Sequence, residues 1–346
     1  MIIEAAILTI GKECLEPKPY VPIEETFKMY AHYYQRGAEE LYKDILASTE
    51  VKPDLEELSS EEREDNEIRA TDRLALSLVV DENDTRLDTY VFDINSEAFY
   101  VHHDVFLHGV PTSMTVWDRA EDPIAFIGNQ DGHVTGYNLF VTNHFLPDLA
   151  FAAHESPITS IKSNSTFILT TDQKSIKAWD LATQKPLFAS TSITPLQIAV
   201  NDQATVFADT NTVYNYDHRE KKPTKLFSTT TPITSLSLLG GSVAAGTTSG
   251  DIFVTKDQAV AKTYSVHKES INNLQLTTDR YVVSSSRDET IALFDLLNEE
   301  VLLRTTTNID TAKVAVPLDD PTIFVFPQED GELGIDSFAD AISLTE

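Results

Sequence analysis

Apolar and polar residues alternate in a block that recurs about every 38 residues from Pro111 to the C-terminus. Each copy begins with a short alternating apolar stretch, passes a turn-forming sequence and ends in an aromatic residue, which Asp usually follows. The copies begin at positions 111, 157, 195, 232, 270 and 311, so that successive starts lie 46, 38, 37, 38 and 41 residues apart. Alternation predicts β-strands, and this period is typical of the four-stranded blade of a β-propeller. The pattern therefore predicts an all-β propeller, a fold that usually serves as a binding platform.

The N-terminal part of the chain does not follow this repeat. Residues 2–10 read as one strand, apolar residues at helical spacing predict a helix over 24–46, and residues 50–67 form an acidic segment. We therefore predict a single propeller domain over residues 1–346, with 11–73 as a helical and acidic insertion after the first strand.

The blades lie mainly in residues 74–346, and we predict seven of them, of the WD40 type. Their predicted boundaries are 2–10 with 74–107, then 110–150, 155–190, 193–228, 231–266, 269–307 and 310–346. The last copy follows the pattern weakly, so that six blades with an irregular unit are the alternative. The first strand either completes the first blade or closes the ring beside the last one, and both arrangements remove an unpaired sheet edge.

The charge of the chain narrows the range of partners. The 346 residues include 55 acidic and 26 basic ones, a formal net charge of −29. This excess argues against binding of duplex nucleic acid by the whole molecule and favours basic protein partners, with solubility alone as the alternative. The single cysteine, Cys14, excludes a disulfide framework, and no apolar run approaches the roughly 20 residues that span a bilayer. We expect a soluble intracellular protein with no cofactor and no membrane partner.

Two blade endings carry polar residues in a recognisable order. Ser284-Ser-Ser-Arg-Asp-Glu-Thr-Ile-Ala-Leu-Phe294-Asp295 looks like the ending of a WD repeat, with His267 about twenty residues before the turn Asp288. In that family a His, a Ser or Thr, a turn Asp and a strand Trp form a buried hydrogen-bond network within a blade, which satisfies polar groups that are costly to bury. The predicted members of such structural networks are His154, Thr170, Trp179, His267, Ser284 and Asp288.

Few residues suggest chemistry at an active site. His102, His103 and Asp104 invite a metal interpretation, but adjacent residues of a strand point to opposite faces, and no partner set has zinc spacing. The chain also lacks a glycine-rich phosphate loop and a nucleophile elbow. We therefore predict no catalytic, cofactor or metal site and expect that the protein is not an enzyme.

The region around the first predicted blade carries a more specific resemblance. The segments Glu62–Asp72, Tyr100–Leu107 and Val110–Trp117 resemble the periodic tryptophan protein 1 family of WD-repeat proteins, and the order of strand, acidic insertion and propeller is the same. Only two tryptophans, Trp117 and Trp179, are present, so this chain resembles a compact member of that family.

The resemblance implies a function in the nucleus, chiefly the nucleolus. It implies a non-catalytic scaffold of ribosome biogenesis and rRNA processing, acting on precursors of the large subunit. The implied partners are ribosome assembly factors, ribosomal proteins and pre-rRNA, bound by a monomer within a large complex. The alternative that it also implies is a histone-binding chromatin protein that regulates transcription of ribosomal RNA genes.

One segment of this acidic chain is rich in basic residues. Arg219, Lys221, Lys222 and Lys225 lie within seven residues, between the last two strands of a predicted blade. Such a cluster can bind RNA phosphates or an acidic protein segment, and a solvated turn is the alternative.

Overall fold

A computed structural model describes most of the chain. The described residues are 1–8, 17–30, 67–81, 84–118, 122–181, 185–190, 195–217, 222–256, 261–310 and 313–343, together with positions 43, 47 and 183. Within this part of the chain, no helix has the length and apolar character needed to cross a bilayer.

The described strands form six four-stranded antiparallel sheets, which we number as blades 1 to 6 along the chain. Blades 1 and 2 contain β1 (Ile2–Ile7), β3 (Arg73–Val80), β4 (Thr85–Asp93) and β5 (Ala98–Phe106), then β6 (Pro111–Trp117), β7 (Ile124–Asn129), β8 (His133–Asn138) and β10 (Leu149–Ala152). Blades 3 and 4 contain β11 (Ser160–Ser163), β12 (Phe167–Thr171), β13 (Ile176–Asp180) and β14 (Pro186–Ser190), then β15 (Gln197–Val200), β16 (Thr205–Ala208), β17 (Thr212–Asp217) and β18 (Lys222–Ser228). Blades 5 and 6 contain β19 (Ile233–Leu239), β20 (Ser242–Thr247), β21 (Asp251–Lys256) and β22 (Lys262–Ser265), then β23 (Ile271–Leu276), β24 (Tyr281–Ser286), β25 (Thr290–Asp295) and β26 (Glu300–Thr306).

The blades are arranged in a ring because both faces of each sheet carry apolar side chains. The first strands of successive blades contact one another from β6 to β11, β15, β19 and β23, and are therefore innermost. Apolar clusters fill the gaps between neighbouring blades; in one of them, Ile252 of blade 5 packs with Ile271 and Val282 of blade 6. Burial of these clusters supplies the main favourable free energy of the fold.

The prediction of seven blades is wrong for the last copy of the repeat. The described residues of 310–346 form a two-stranded sheet of β27 (Ile323–Pro327) and β28 (Leu333–Ser337), which we call the short sheet, plus one β-bridge between Ala315 and Val325. Pro317 and Pro321 interrupt the segment before β27, and helix α2 (Ala339–Ser343) follows β28. Proline removes backbone donors, and this limits pairing.

The short sheet occupies the gap between blade 6 and blade 1. Phe324 and Phe338 pack with Leu293 of blade 6, while Val325 and Leu333 form a cluster with residues of blade 1. The sequence left open whether the first strand joins the first blade or the last one. In the structure, β1 pairs with β3 as the inner strand of blade 1 and also contacts β27. The N-terminus is therefore part of the ring closure.

The predicted helical insertion is not evident in the described residues. The described helix α1 (Glu24–Tyr30) is only seven residues long, and the remainder of the predicted helix over 24–46 lies almost entirely outside the described part, as does nearly all of the acidic segment 50–67. One short strand of this region, β2 (Lys18–Pro19), pairs in parallel with β9 (Val141–Thr142), which lies in the connection between β8 and β10 of blade 2.

Polar side chains connect the inner strands. The Oγ of Ser113 accepts a hydrogen bond from the backbone N–H of Ile161 at 3.3 Å, and the Oγ of Ser237 accepts one from Leu276 at 2.9 Å. The side-chain amide of Gln275 bonds both backbone groups of Val316. The inner edges of these strands have no neighbouring strand. The bonds therefore satisfy backbone groups there that would otherwise be unpaired.

Candidate functional site

The polar residues predicted in blade 3 meet in one buried network. The Nε2 of His154 lies 2.8 Å from the Oγ1 of Thr170, which also accepts a hydrogen bond from the indole Nε1 of Trp179 at 2.9 Å. The Nδ1 of His154 lies 3.4 Å from Asp172 Oδ2 and 3.3 Å from Ser175 Oγ. All of these residues belong to one blade or to the loop that enters it, so the network fixes the position of that loop on the sheet.

Blade 6 repeats the arrangement without the indole. The Nε2 of His267 lies 2.9 Å from Ser284 Oγ, and its Nδ1 lies 3.2 Å from Asp288. Phe294 occupies the place of the tryptophan and packs among apolar residues. Arg304 adds a cation that the sequence pattern did not reveal, because its guanidinium donates to Thr290 Oγ1 at 3.0 Å and lies 3.9 Å from Asp288.

Each of these two histidine loops is anchored to a glycine turn of the preceding blade. The backbone N–H of His154 donates to the carbonyl of Gly132, and that of His267 donates to the carbonyl of Gly250. Both glycines have positive φ, of 84° and 83°, and a Cβ atom at either one would clash with a histidine carbonyl. Only glycine fits such a position.

The electrostatics of both networks keep the histidines neutral. Burial lowers the pKa of His154 and of His267, and the nearby carboxylates only partly oppose it. Burial would raise the pKa of Asp172, but hydrogen bonds from Ser156 and Ser175, and the charge of the His154 ring when it is protonated, bring it to about 2. The pKa of Asp288 is lowered to about 2 by the same balance, with the hydrogen bond from Thr290 as the largest opposing effect.

We expect acid to weaken the fold through these histidines. Their pKa is lower in the folded protein than the ordinary value of 6.5, so the unfolded chain binds more protons below that pH and stability falls as pH falls. The carboxylates Asp172 and Asp288 add a further loss between about pH 4 and pH 2. Urea unfolding at pH 7.5 and pH 5 measures the effect, and equal midpoints would contradict it.

The turn carboxylate of blade 6 offers a direct test of the network. The side chain of Asp288 is only 10% exposed and accepts hydrogen bonds from Thr290 Oγ1 at 2.6 Å and from the N–H of Lys268 at 2.9 Å. We expect Asp288→Ala to destabilise the protein by ~1–3 kcal/mol, because these donors lose their acceptor. Asp279→Ala is the control, since that side chain is 70% exposed and forms only a surface ion pair with Lys256. An unchanged unfolding midpoint for Asp288→Ala would show that the turn is not stabilised in this way.

The neighbouring histidines His102 and His103 lie on β5. Their Nδ1 atoms are 2.8 Å apart, and a β-bulge in the pairing with β4 falls at this point of the strand. Burial, followed by the charges of His102 and His144, lowers the pKa of His103 to about 3. No group of three metal-ligating side chains occurs in the described part of the chain.

The predicted basic cluster is only partly described. Arg219 and Lys221 lie outside the described residues, while Lys222 and Lys225 are exposed on β18, the outermost strand of blade 4. Lys222 pairs with Asp217 and Lys225 pairs with Tyr214, so the two lysines point to opposite faces of the blade. They therefore do not form one continuous basic surface.

The ring interior contains charges that the sequence interpretation missed. Lys313, beside the short sheet, lies 2.8 Å from Glu4 on the inner strand of blade 1. Lys162, on the inner strand of blade 3, interacts electrostatically with both of them, and burial lowers the pKa of its ammonium group. The signal was a single charged residue within an apolar strand, as in Ile2-Ile-Glu4-Ala-Ala-Ile and Ala312-Lys-Val-Ala-Val.

A buried arginine joins the two ends of the ring. Arg73, at the start of β3, is 1% exposed and donates to the carbonyl of Leu8 at 3.1 Å. It also donates to Asp319 at 2.7 Å and lies 3.8 Å from Asp320, both in the segment before β27. Blade 1 and the short sheet are therefore held together by ion pairs as well as by apolar contacts.

Comparison with known proteins supports the fold and the repeat type. No family model matches the chain. An uncharacterized WD repeat-containing protein of Schizosaccharomyces pombe is 26% identical over 141 residues, which are 38% of this chain and 26% of that protein. The matched part thus spans about a quarter of that relative's length. The crystal structure of the WD40 beta propeller domain of Doa1 matches with a TM-score of 0.65 at 15% identity, over 76% of this chain and 88% of that chain.

The chain therefore has a WD40-type β-propeller fold, and part of it is similar in sequence to a WD repeat-containing protein.

Proposed function

We propose that the protein is a non-catalytic WD-repeat scaffold of ribosome biogenesis. In this proposal it acts in the nucleolus and holds pre-rRNA, assembly factors and ribosomal proteins on precursors of the large subunit. The comparisons show similarity to WD-repeat proteins and do not single out the periodic tryptophan protein 1 family. The proposal therefore rests on the resemblance in the sequence and on the place of the resembling residues in the fold.

The observation that carries the proposal is the position of the resembling segment Tyr100–Leu107. It forms most of β5, the outermost strand of blade 1, and ends just beyond it. Val101 and Phe106 are 47% and 60% exposed there, so packing of the propeller core does not require them. Exposed apolar side chains in close succession on an outer strand are typical of a surface that contacts another molecule. The resemblance is therefore strongest on a surface suited to partner binding.

Sedimentation tests the proposal directly. The tagged protein is purified from fractions of a sucrose gradient, and the co-purified RNA is identified in each fraction. We expect the protein in fractions with large-subunit precursors and their rRNA. Its presence only with chromatin, or only as free monomer, would contradict the ribosomal assignment and leave the fold unaffected.

The described lysines of the basic cluster have a separate test in the same gradient. Lys222→Glu with Lys225→Glu should reduce cosedimentation if the cluster binds RNA phosphates, because each reversal replaces an attraction by a repulsion. Lys256→Glu with Lys262→Glu is the matched control, since both lysines are exposed at the strand ends of blade 5. Equal cosedimentation of both double variants would remove the cluster from the proposed RNA contact.

A second candidate function, histone binding in chromatin, is favoured by the charge of one rim of the ring. The turns between the second and third strands lie at the same end of the propeller as the loops that enter each blade. Among the described residues, this end carries three exposed basic side chains, Lys174, Lys268 and Arg287, and a larger number of exposed acidic residues: Asp81, Asp84, Asp131, Glu155, Glu269, Glu289, Asp310, Glu329 and Asp330. An acidic rim suits a basic histone tail. Titration with a histone tail peptide distinguishes the two functions, because only the histone-binding function requires that the peptide bind with micromolar or tighter affinity.

A further inference from the structure

The short sheet has an outer edge with no strand beside it in the described part of the chain. Every blade from 1 to 6 has four strands, whereas the short sheet ends at β28 (Leu333–Ser337). Helix α2, which follows, packs towards β26 and the blade 6 core through Ile342 and does not extend the sheet. In a strand that is paired on one side, alternate backbone N–H and C=O groups point to the open side. On β28 the outward N–H of Leu333 donates to the hydroxyl of Tyr90 at 3.3 Å and that of Ser337 to its neighbour Asp336 at 2.7 Å, so the edge that another strand can pair with is centred on Ile335.

The two faces beside this edge differ in chemistry. Phe326 pairs with Gly334, so both lie on the face towards blade 6, where the side chain of Gln328 packs over Gly334. A groove of about 600 Å³ lies on this side, lined by Thr306, Thr307, Phe326, Gln328, Glu329 and Asp330. Ile335 lies on the opposite face, where it packs with the cluster that contains Phe99 of blade 1. One face of an added strand would therefore meet carboxylates and a phenyl ring, and the other would meet apolar side chains.

The region of the short sheet carries a strong excess of acidic residues. Residues 313–343 include seven acidic residues and one lysine. That lysine and two of the acidic residues are used in the ion pairs with blade 1 described above. The other five have no cation within ion-pair distance among the described residues; they are Glu329, Asp330, Glu332, Asp336 and Asp340. An occupant of the edge should therefore carry positive charge.

We propose that the outer edge of β28 binds an extended basic segment of a partner protein as the outermost strand of the short sheet. Main-chain hydrogen bonds to β28 supply affinity, and alternate side chains supply specificity. Lysine or arginine side chains on one face enter the groove, where Phe326 offers a ring face and Glu329 offers a carboxylate. Apolar side chains on the other face pack on Ile335 and Phe99. This interaction does not depend on the ribosomal assignment.

The test uses an eight-residue peptide of alternating arginine and valine with blocked ends, added to the full-length protein. We expect saturable binding in titration calorimetry and slower hydrogen exchange at the amide of Ile335. A peptide of the same sequence with N-methylated alternate amides is the control, because it keeps the charge and loses main-chain donors. Glu329→Lys with Asp336→Lys should weaken binding by at least about tenfold, whereas Asp279→Lys with Glu299→Lys changes the charge equally at a distant surface and should leave it unchanged.

Several results would overturn the proposal. Absence of binding would do so, as would equal binding of the N-methylated peptide, which would reduce the effect to charge attraction. Protection confined to other strands would place the peptide elsewhere. Slow exchange of the Ile335 amide in the free monomer would show that the chain itself covers the edge. A dimer in sedimentation that the peptide dissociates would show that a second copy is the occupant.

Discussion

Replacing Arg73 by methionine should lower the free energy of unfolding by about 2–3 kcal/mol. The guanidinium is buried, and its removal takes a hydrogen-bond donor from the carbonyl of Leu8 and from the carboxylate of Asp319, and a nearby cation from Asp320. Breaking a buried ion pair from one side costs ~3–5 kcal/mol, and we take a lower value because both carboxylates are about a third exposed. Methionine retains most of the side-chain volume, so the change reports the polar contacts. Urea unfolding monitored by tryptophan fluorescence measures the loss.

Arg69→Met is the matched control for this prediction. Arg69 is close in sequence but 45% exposed, and its ion pair with Asp93 has a distance of 3.5 Å. Exposed pairs of this kind contribute little, so the loss should be several times smaller than for Arg73→Met. Equal losses for the two variants would contradict the assignment of Arg73 to ring closure, as would full stability of the Arg73 variant.

Thr170→Val should cost about 2–4 kcal/mol, the other large effect that we expect. The hydroxyl of Thr170 serves both His154 and Trp179, and all three side chains are buried. Valine preserves the shape of the residue but leaves two buried nitrogen groups without a partner, and each such group costs ~1–3 kcal/mol. The indole of Trp179 should also report a local change, visible as a shift in its fluorescence before unfolding begins.

Blade 6 provides a comparison that separates the contribution of the Thr170–His154 bond from that of the Thr170–Trp179 bond. Ser284→Ala removes the equivalent hydroxyl, but Phe294 has no N–H, so only His267 loses a partner. The loss should therefore be smaller, at about 1–3 kcal/mol. A loss for Ser284→Ala as large as that for Thr170→Val would show that the indole bond of blade 3 contributes nothing.

Much of the propeller could be predicted because strand alternation and turn signals are local properties of the sequence. The repeat starts at Pro111, Pro157, Pro195 and Pro232 coincide with or precede the inner strands β6, β11, β15 and β19. The His154 and His267 networks were also predictable, since the residue order in each blade resembles a WD repeat and the fold brings those positions together.

The last part of the ring could not be predicted in the same way. The apolar residues of 310–346 have the right spacing, but Pro317 and the helix after Ser337 prevent a full set of strands. The sequence offered two places for β1, in the first blade or beside the last one, and could not decide between them because the pairing of β1 with β3 is non-local. The same holds for Arg73 and Arg304, whose partners lie far away in sequence or outside the repeat pattern.

Depletion of the protein followed by pulse-labelling of rRNA tests the proposed function most directly. With the gene under a repressible promoter, we expect mature large-subunit rRNA to fall and its precursors to accumulate, while small-subunit rRNA is produced at the normal rate. Re-expression of the wild-type chain should restore the ratio of large-subunit to small-subunit rRNA. An equal fall of both rRNAs would indicate control of rRNA gene transcription instead, and unchanged rRNA synthesis and processing after complete depletion would contradict a role in ribosome biogenesis.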